Sequence, residues 1–128
     1  MTEKATQPTK AAKYNAPAFL DEVAAAQWVA RIDQLSARGD IKPEDLTNLE
    51  IYCVNYSLFR SAVIDIANNG FSMANSQGTK SRNPALSAKA DAEKVMIKMS
   101  TLLGFDPVSR RKNPVESDEQ DEIDNILG

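Results

Sequence analysis

The sequence predicts an all-α protein, and three observations predict it. Apolar residues recur at three- and four-residue steps over long stretches, no segment alternates convincingly at the two-residue period of a strand, and Asn, Pro and Gly punctuate the stretches where helices start and stop. The expected architecture is three main helices, the second and third forming a long antiparallel hairpin, between a flexible basic N-terminal arm and an acidic C-terminal tail. A chain of 128 residues has room for one domain, with a core of Leu, Ile, Val and Ala, since aromatic residues make up only 6%.

Residues 1–17 mix Thr, Lys, Gln, Pro and Asn without an apolar period, so they are expected as an arm that cannot offset its own ordering entropy. From Ala18, the residues Phe19, Leu20, Val23, Ala26, Trp28, Ile32 and Leu35 follow helical spacing. Asp21 and Glu22 fall in the first turn, where acids suit the positive end of the helix dipole, and Gly39 is a natural stop.

Pro43 opens the second helix at the position where a missing N–H costs nothing, followed by Glu44 and Asp45. Leu46, Leu49, Cys53, Tyr56, Val63 and Ala67 mark one apolar face, and Ile51, Val54, Leu58, Phe59 and Ile66 widen it, so the helix needs more than one neighbour. Gly70 with Phe71 is expected to end it in a Schellman motif, the glycine left-handed and the phenylalanine folded back on the last turn. Ser72 to Arg82 reads as a Gly/Ser/Asn loop.

Asn83 and Pro84 supply an N-cap and first turn for the third helix, which runs through Leu86, Ala90, Val95, Met96, Met99, Leu102 and Leu103 to a second Gly-Phe stop at Gly104 and Phe105. Asp106, Pro107 and Val108 restart a short helical turn before the basic run Arg110, Arg111 and Lys112, so residues 18–112 are expected as the helical unit. Residues 113–128 form the tail, acidic throughout but with Ile123, Ile126 and Leu127 at helix-compatible spacing, a pattern that orders on binding a partner.

The net charge of −3 hides a segregation along the chain: +2 over residues 1–13, −4 over 14–77, +5 over 78–112 and −6 over 113–128. No stretch approaches the roughly 18 apolar residues of a membrane span, and residues 1–13 contain no apolar signal core, so a soluble, intracellular protein is expected. The lone Cys53 lies in an apolar run and reads as a reduced, buried thiol.

Catalysis is not expected. The chain has no histidine, the commonest general base and metal ligand, and one cysteine makes no thiolate cluster. Ser57, Ser61, Ser87 and Ser100 have no activating base near them in sequence, and Gly78-Thr79-Lys80 lacks the pattern of a phosphate-binding loop. The six tail carboxylates lack the turn glycine and ordered spacing of a calcium loop, so neither metal nor cofactor is expected. Function then lies in binding. Lys80, Arg82, Lys89, Arg110, Arg111 and Lys112 cluster around both ends of the third helix and outnumber the local acids, which makes them the candidate phosphate contacts. Lys94 and Lys98, four residues apart, also read as a solvated face; Lys4, Lys10 and Lys13 read as a non-specific arm or a solubilising one.

The stretch from Lys42 to Lys112 resembles a phage terminase small subunit of the all-helical type. The resemblance is carried by Pro43-Glu44-Asp45-Leu46 with the aromatic-rich helix after it, by Asn83-Pro84-Ala85-Leu86, and by Gly104-Phe105-Asp106-Pro107-Val108-Ser109-Arg110. Lys42 departs from the Thr or Ser cap usual there, at a cost of about 1 kcal/mol, and Phe71 to Ser81 lacks the usual valine-rich stretch. The resemblance implies a homo-oligomeric ring that selects double-stranded viral DNA and passes it to a large subunit holding the ATPase and nuclease. On this reading Tyr52, Tyr56, Phe59 and Val63 are candidates for the oligomer interface, although Tyr52, Tyr56 and Phe59 read first as core with the interface as the main rival, and Ile123, Ile126 and Leu127 are candidates for the large-subunit contact. Two other readings stand beside it. One is a helix-turn-helix regulator, disfavoured by Glu44, Asp45 and Glu50 at the start of the recognition helix; the other is a structural head-completion or adaptor protein.

Overall fold

A computed structural model describes residues 14–105 of the chain. Three helices account for most of it: α1 (Glu22–Ser36), α2 (Pro43–Asn69) and α3 (Pro84–Leu103), with two short strands, β1 (Ser72–Ala74) and β2 (Lys80–Arg82), between the last two. The helix-dominated fold agrees with the sequence reading; the strands do not.

α1 begins four residues later than the apolar spacing suggests, because Asp21 is the N-cap rather than a first-turn acid: its carboxylate accepts the Ala24 N–H at 2.8 Å. Phe19 precedes the helix and is exposed, whereas Leu20, Ala24, Trp28, Ile32 and Leu35 bury one face. Complete burial of a large apolar side chain contributes about 1.5–3 kcal/mol, and Trp28 gains it without stranding its indole N–H, which donates to the Tyr14 carbonyl at 2.8 Å. That bond, and the packing of Tyr14 and Ala16 on the core, tie down the part of the expected arm that falls among the described residues; residues 1–13 lie outside them.

α2 starts at Pro43 as its sequence requires. Lys42 offers no capping oxygen, but Asp45 reaches back to accept the Lys42 N–H at 3.1 Å. Leu49, Tyr52 and Cys53 face α1 and the far end of α3, where Met99 and Leu103 complete the core. α2 and α3 run antiparallel, since Asp65 near the end of α2 meets Asn83 at the start of α3 while Tyr52 meets Phe105 at the opposite end.

The segment expected as a loop is a hairpin. Ser72 pairs with Arg82, Met73 with Ser81 and Ala74 with Lys80, antiparallel. Its turn is organised by Asn75, whose side-chain oxygen accepts the N–H groups of Gln77 and Thr79, both at 2.9 Å, while its own N–H donates to the Thr79 carbonyl. Strands of three exposed residues give the sequence no apolar alternation to display.

The two Gly-Phe stops also differ. Gly104 is left-handed (φ 72°, ψ 37°), and Phe105 N–H returns to the Ser100 carbonyl at 2.9 Å, as a Schellman motif requires. Gly70 has positive φ but extended ψ (84°, −174°), so the chain leaves α2 as a strand and Phe71, 70% exposed, does not fold back.

Candidate nucleic-acid interface

The hairpin presents the two basic residues nearest the start of α3. Lys80 and Arg82 are two apart on β2, so their side chains project from the same face of the ribbon, about 6.6 Å apart along the strand. The other face turns Met73 toward an open groove of about 590 Å³ between α2 and α3, also lined by Leu58, Ala62, Ala88 and Ala92. Asp65 and Asp91 border that groove, and their charges repel a phosphate. The face holding Lys80 and Arg82 is thus the side of the hairpin suited to an anion. Arg82 is steadied by donating to Ser87 Oγ at 2.7 Å in the first turn of α3.

Asn83 fixes where this face sits. Its side chain is 1% exposed and makes three hydrogen bonds: the amide donates to Asp65 at 3.0 Å and to the Gly70 carbonyl at 2.8 Å, and the oxygen accepts the Ala85 N–H at 2.9 Å. Its backbone N–H donates to the Phe71 carbonyl at 2.8 Å. One side chain therefore joins the end of α2, the base of the hairpin and the start of α3. The Asn83 hydrogen bond, followed by that from Asn69, holds the Asp65 carboxyl below its ordinary range against a partial loss of solvent.

Lys89 stands differently. Its ammonium pairs with Glu93 at 2.9 Å and lies 5.7 Å from the centre of the Phe59 ring, so its charge is partly answered within the molecule. Lys94 and Lys98 are exposed farther along α3. Arg110, Arg111 and Lys112 lie outside the described residues, as do Ile123, Ile126 and Leu127. The structure thus brings Lys80 and Arg82 together and sets Lys89 apart from them.

The residues considered for an oligomer interface also divide. Tyr52 is buried, its ring edge-on to Phe105 at 5.3 Å, and belongs to the core of its own protomer. Tyr56 and Phe59 are half-buried, and Val63 is exposed near the end of α2. Cys53 is fully buried, and desolvation pushes its thiol up to about 12, so it is an unreactive packing group. Among the described residues no three of His, Cys, Asp or Glu come together to hold a metal ion, and no helix is long and apolar enough to cross a membrane.

Two arginines escape a reading by sequence. Arg31 of α1 is held by Gln27 and Gln34, each at 3.0 Å, and places its guanidinium 4.6 Å from the Phe105 ring centre while donating to Tyr52 Oη at 3.3 Å. Arg38, just past α1, donates to the carbonyls of Gly104 and Leu103, placing a cation at the negative end of α3. The flanking glutamines hint at a held Arg31. No local signal marks Arg38, whose partners lie 65 and 66 residues away.

No curated protein and no solved structure matches the chain. A family model does: that described as phage terminase, small subunit, matches residues 24–120, from the first turn of α1 through α3 and into the acidic tail. The match spans all three helices, the hairpin and the motifs around Asn83 and Gly104, and the chain belongs to the phage terminase small subunit family.

Proposed function

We propose that the chain is a non-catalytic DNA-recognition and regulatory subunit, which assembles with copies of itself, binds double-stranded viral DNA and engages the terminase large subunit during genome packaging in the infected cell. The observation that carries the DNA part is the exposed hairpin face with Lys80 and Arg82 side by side, pinned by Asn83 and turned away from the acidic groove. Arg110, Arg111 and Lys112, after the other end of α3, extend the basic surface on this reading, and Lys89 contributes less because Glu93 answers its charge.

Removing one cation that neutralises a phosphate lowers the slope of log affinity against log salt by about 0.9. Lys80→Ala with Arg82→Ala is therefore expected to weaken DNA retention and reduce the slope by about 2, with Lys89→Ala changing it by less than about 1. Retention unchanged across a salt series would remove the hairpin from the interface. For the large subunit, the acidic tail offers Ile123, Ile126 and Leu127 as one face of an induced helix, which suits a basic groove. Deleting residues 116–128 is expected to abolish co-purification with the large subunit and to leave self-assembly unchanged.

A further inference from the structure

Two outward helix faces carry opposite charge around an apolar centre. On α1, Glu22, Ala26, Val29, Ala30 and Asp33 are exposed and follow three- and four-residue steps, forming one stripe opposite the buried Trp28 and Leu35. On α3, Ala90, Lys94, Ile97, Lys98 and Thr101 do the same opposite Ala92 and Leu103. Val29 is 62% exposed and Ile97 68%, high values for branched apolar side chains on well-formed helices. The α1 stripe spans about three turns, roughly 16 Å, and the α3 stripe from Ala90 to Lys98 roughly 12 Å, so the second can lie along the first. Lys89 pairs with Glu93, and among the described residues Glu22, Asp33, Lys94 and Lys98 have no ion-pair partner. Asp91, the nearest acid on the exposed side of α3, lines the groove instead.

We propose that the α1 stripe of one copy packs against the α3 stripe of the next, a contact that rests on the reading that the chain assembles with copies of itself. Like stripes cannot face one another, because Lys94 and Lys98 would meet their own counterparts, and Glu22 and Asp33 theirs. Opposite stripes packed antiparallel bury Val29 against Ile97 and set Asp33 beside Lys94, with Glu22 at the same end of the contact as Lys98 and about 9 Å beyond it along the axis. Because the two faces differ, the contact is head to tail, leaves a free stripe at each end of a pair, and propagates until the rotation closes a ring. Rival surfaces lie on α2, in Val63 and Ile64 toward its end and in the apolar stripe Ile51, Val54 and Leu58. That stripe is less exposed at its first two positions, 37% and 36%, and the charged neighbours Glu50 and Asp65 are both acidic.

The test is the mass of the full chain in solution by light scattering. Lys94→Glu with Lys98→Glu, and separately Glu22→Lys with Asp33→Lys, are each expected to reduce the wild-type assembly to the 14.0 kDa single chain. The quadruple variant carrying both reversals is expected to return to the wild-type mass, as is an equimolar mixture of the two doubles to a large assembly, which a folding defect would not allow. An assembly that survives either reversal, or one that breaks and is not restored by the quadruple variant, overturns this pairing and moves the contact to α2, leaving self-assembly intact. A wild-type chain of 14.0 kDa at micromolar concentration overturns self-assembly itself.

Discussion

Gly70-Phe71 and Gly104-Phe105 are the same dipeptide at the ends of two helices, yet the chain leaves them in different directions. At Gly104 the backbone is left-handed, the Phe105 ring turns back against Tyr52, and the Arg31 and Arg38 guanidiniums cover the ring and the last carbonyls. At Gly70 the backbone is extended, and a side chain added at that position would meet nothing within 4 Å. Phe71 stands in solvent, and its carbonyl serves as an acceptor for Asn83. A glycine marks where a helix can stop; what lies across from it decides where the chain goes. α1 reaches the end of α3 and supplies that surface there, but it packs on the first part of α2, with Asp21 at the start of α1 meeting Ser57, and leaves the last turns of α2 bare.

The largest expected effect breaks the Gly104 end. Gly104→Ala puts a β-carbon against the Arg38 guanidinium and strains a left-handed backbone, so it should cost about 3 kcal/mol, from roughly 1–2 for the conformation and the remainder for displaced charge-assisted bonds. Gly70→Ala meets open space but holds a backbone conformation essentially confined to glycine, and should cost only that strain, about 1–3 kcal/mol. Urea midpoints measure both, and a loss at Gly104 no larger than the roughly 1–2 kcal/mol of its left-handed backbone would show that Arg38 adds nothing. Next comes Asn83→Ala, which leaves the Gly70 carbonyl and Ala85 N–H without their partner and should cost about 2–3 kcal/mol. It should also weaken DNA retention more than its loss of stability explains, because the Lys80 and Arg82 face loses its anchor.

The aromatic rings sharpen the same contrast. Phe105→Ala removes a half-buried ring that meets Tyr52 edge-on and lies under Arg31, and should lower stability by about 2 kcal/mol, or roughly 8–16 °C in Tm for a domain of this size. Phe71→Ala should stay within about 0.5 kcal/mol. A large loss at Phe71 would mean that another surface, such as a second copy, covers it.

How much of this was legible in the sequence follows from how local each signal is. The starts of α2 and α3 were readable because Pro43 and Asn83-Pro84 act within one turn, and the buried faces because Trp28, Ile32, Leu49 and Cys53 keep helical spacing. The hairpin was not, since its strands are three exposed residues long and its order comes from the Asn75 side chain rather than from an apolar pattern. Lys80 and Arg82 were identifiable as charges, but their common face depends on a strand no periodicity announces. The Asn-Pro motif placed a cap at Asn83 and gave no sign of its bonds to Asp65 and Gly70. Arg38 and Phe105 meet only through the tertiary fold, so the two glycine stops looked alike.

Acid should separate those two ends with the smallest effect. The Asn83 and Asn69 amides hold Asp65 below its ordinary value of 3.8, as the Ser57 hydroxyl and the Ala24 N–H hold Asp21. Between the lowered folded value and 3.8 the unfolded chain binds a proton that the folded chain refuses, so stability rises with pH through that window. The contribution is complete above 3.8 and is lost as pH falls through the folded value. The Gly104 end is held by a guanidinium, which has no proton to gain. Amide exchange of Asn83, bonded to the Phe71 carbonyl, should therefore lose protection at a higher pH than that of Phe105, bonded to the Ser100 carbonyl, after correction for intrinsic rates. Asp65→Asn should remove the difference, because its amide oxygen still accepts from Asn83 but no longer titrates. Simultaneous loss at both amides in the wild type would mean that the two ends open as one unit.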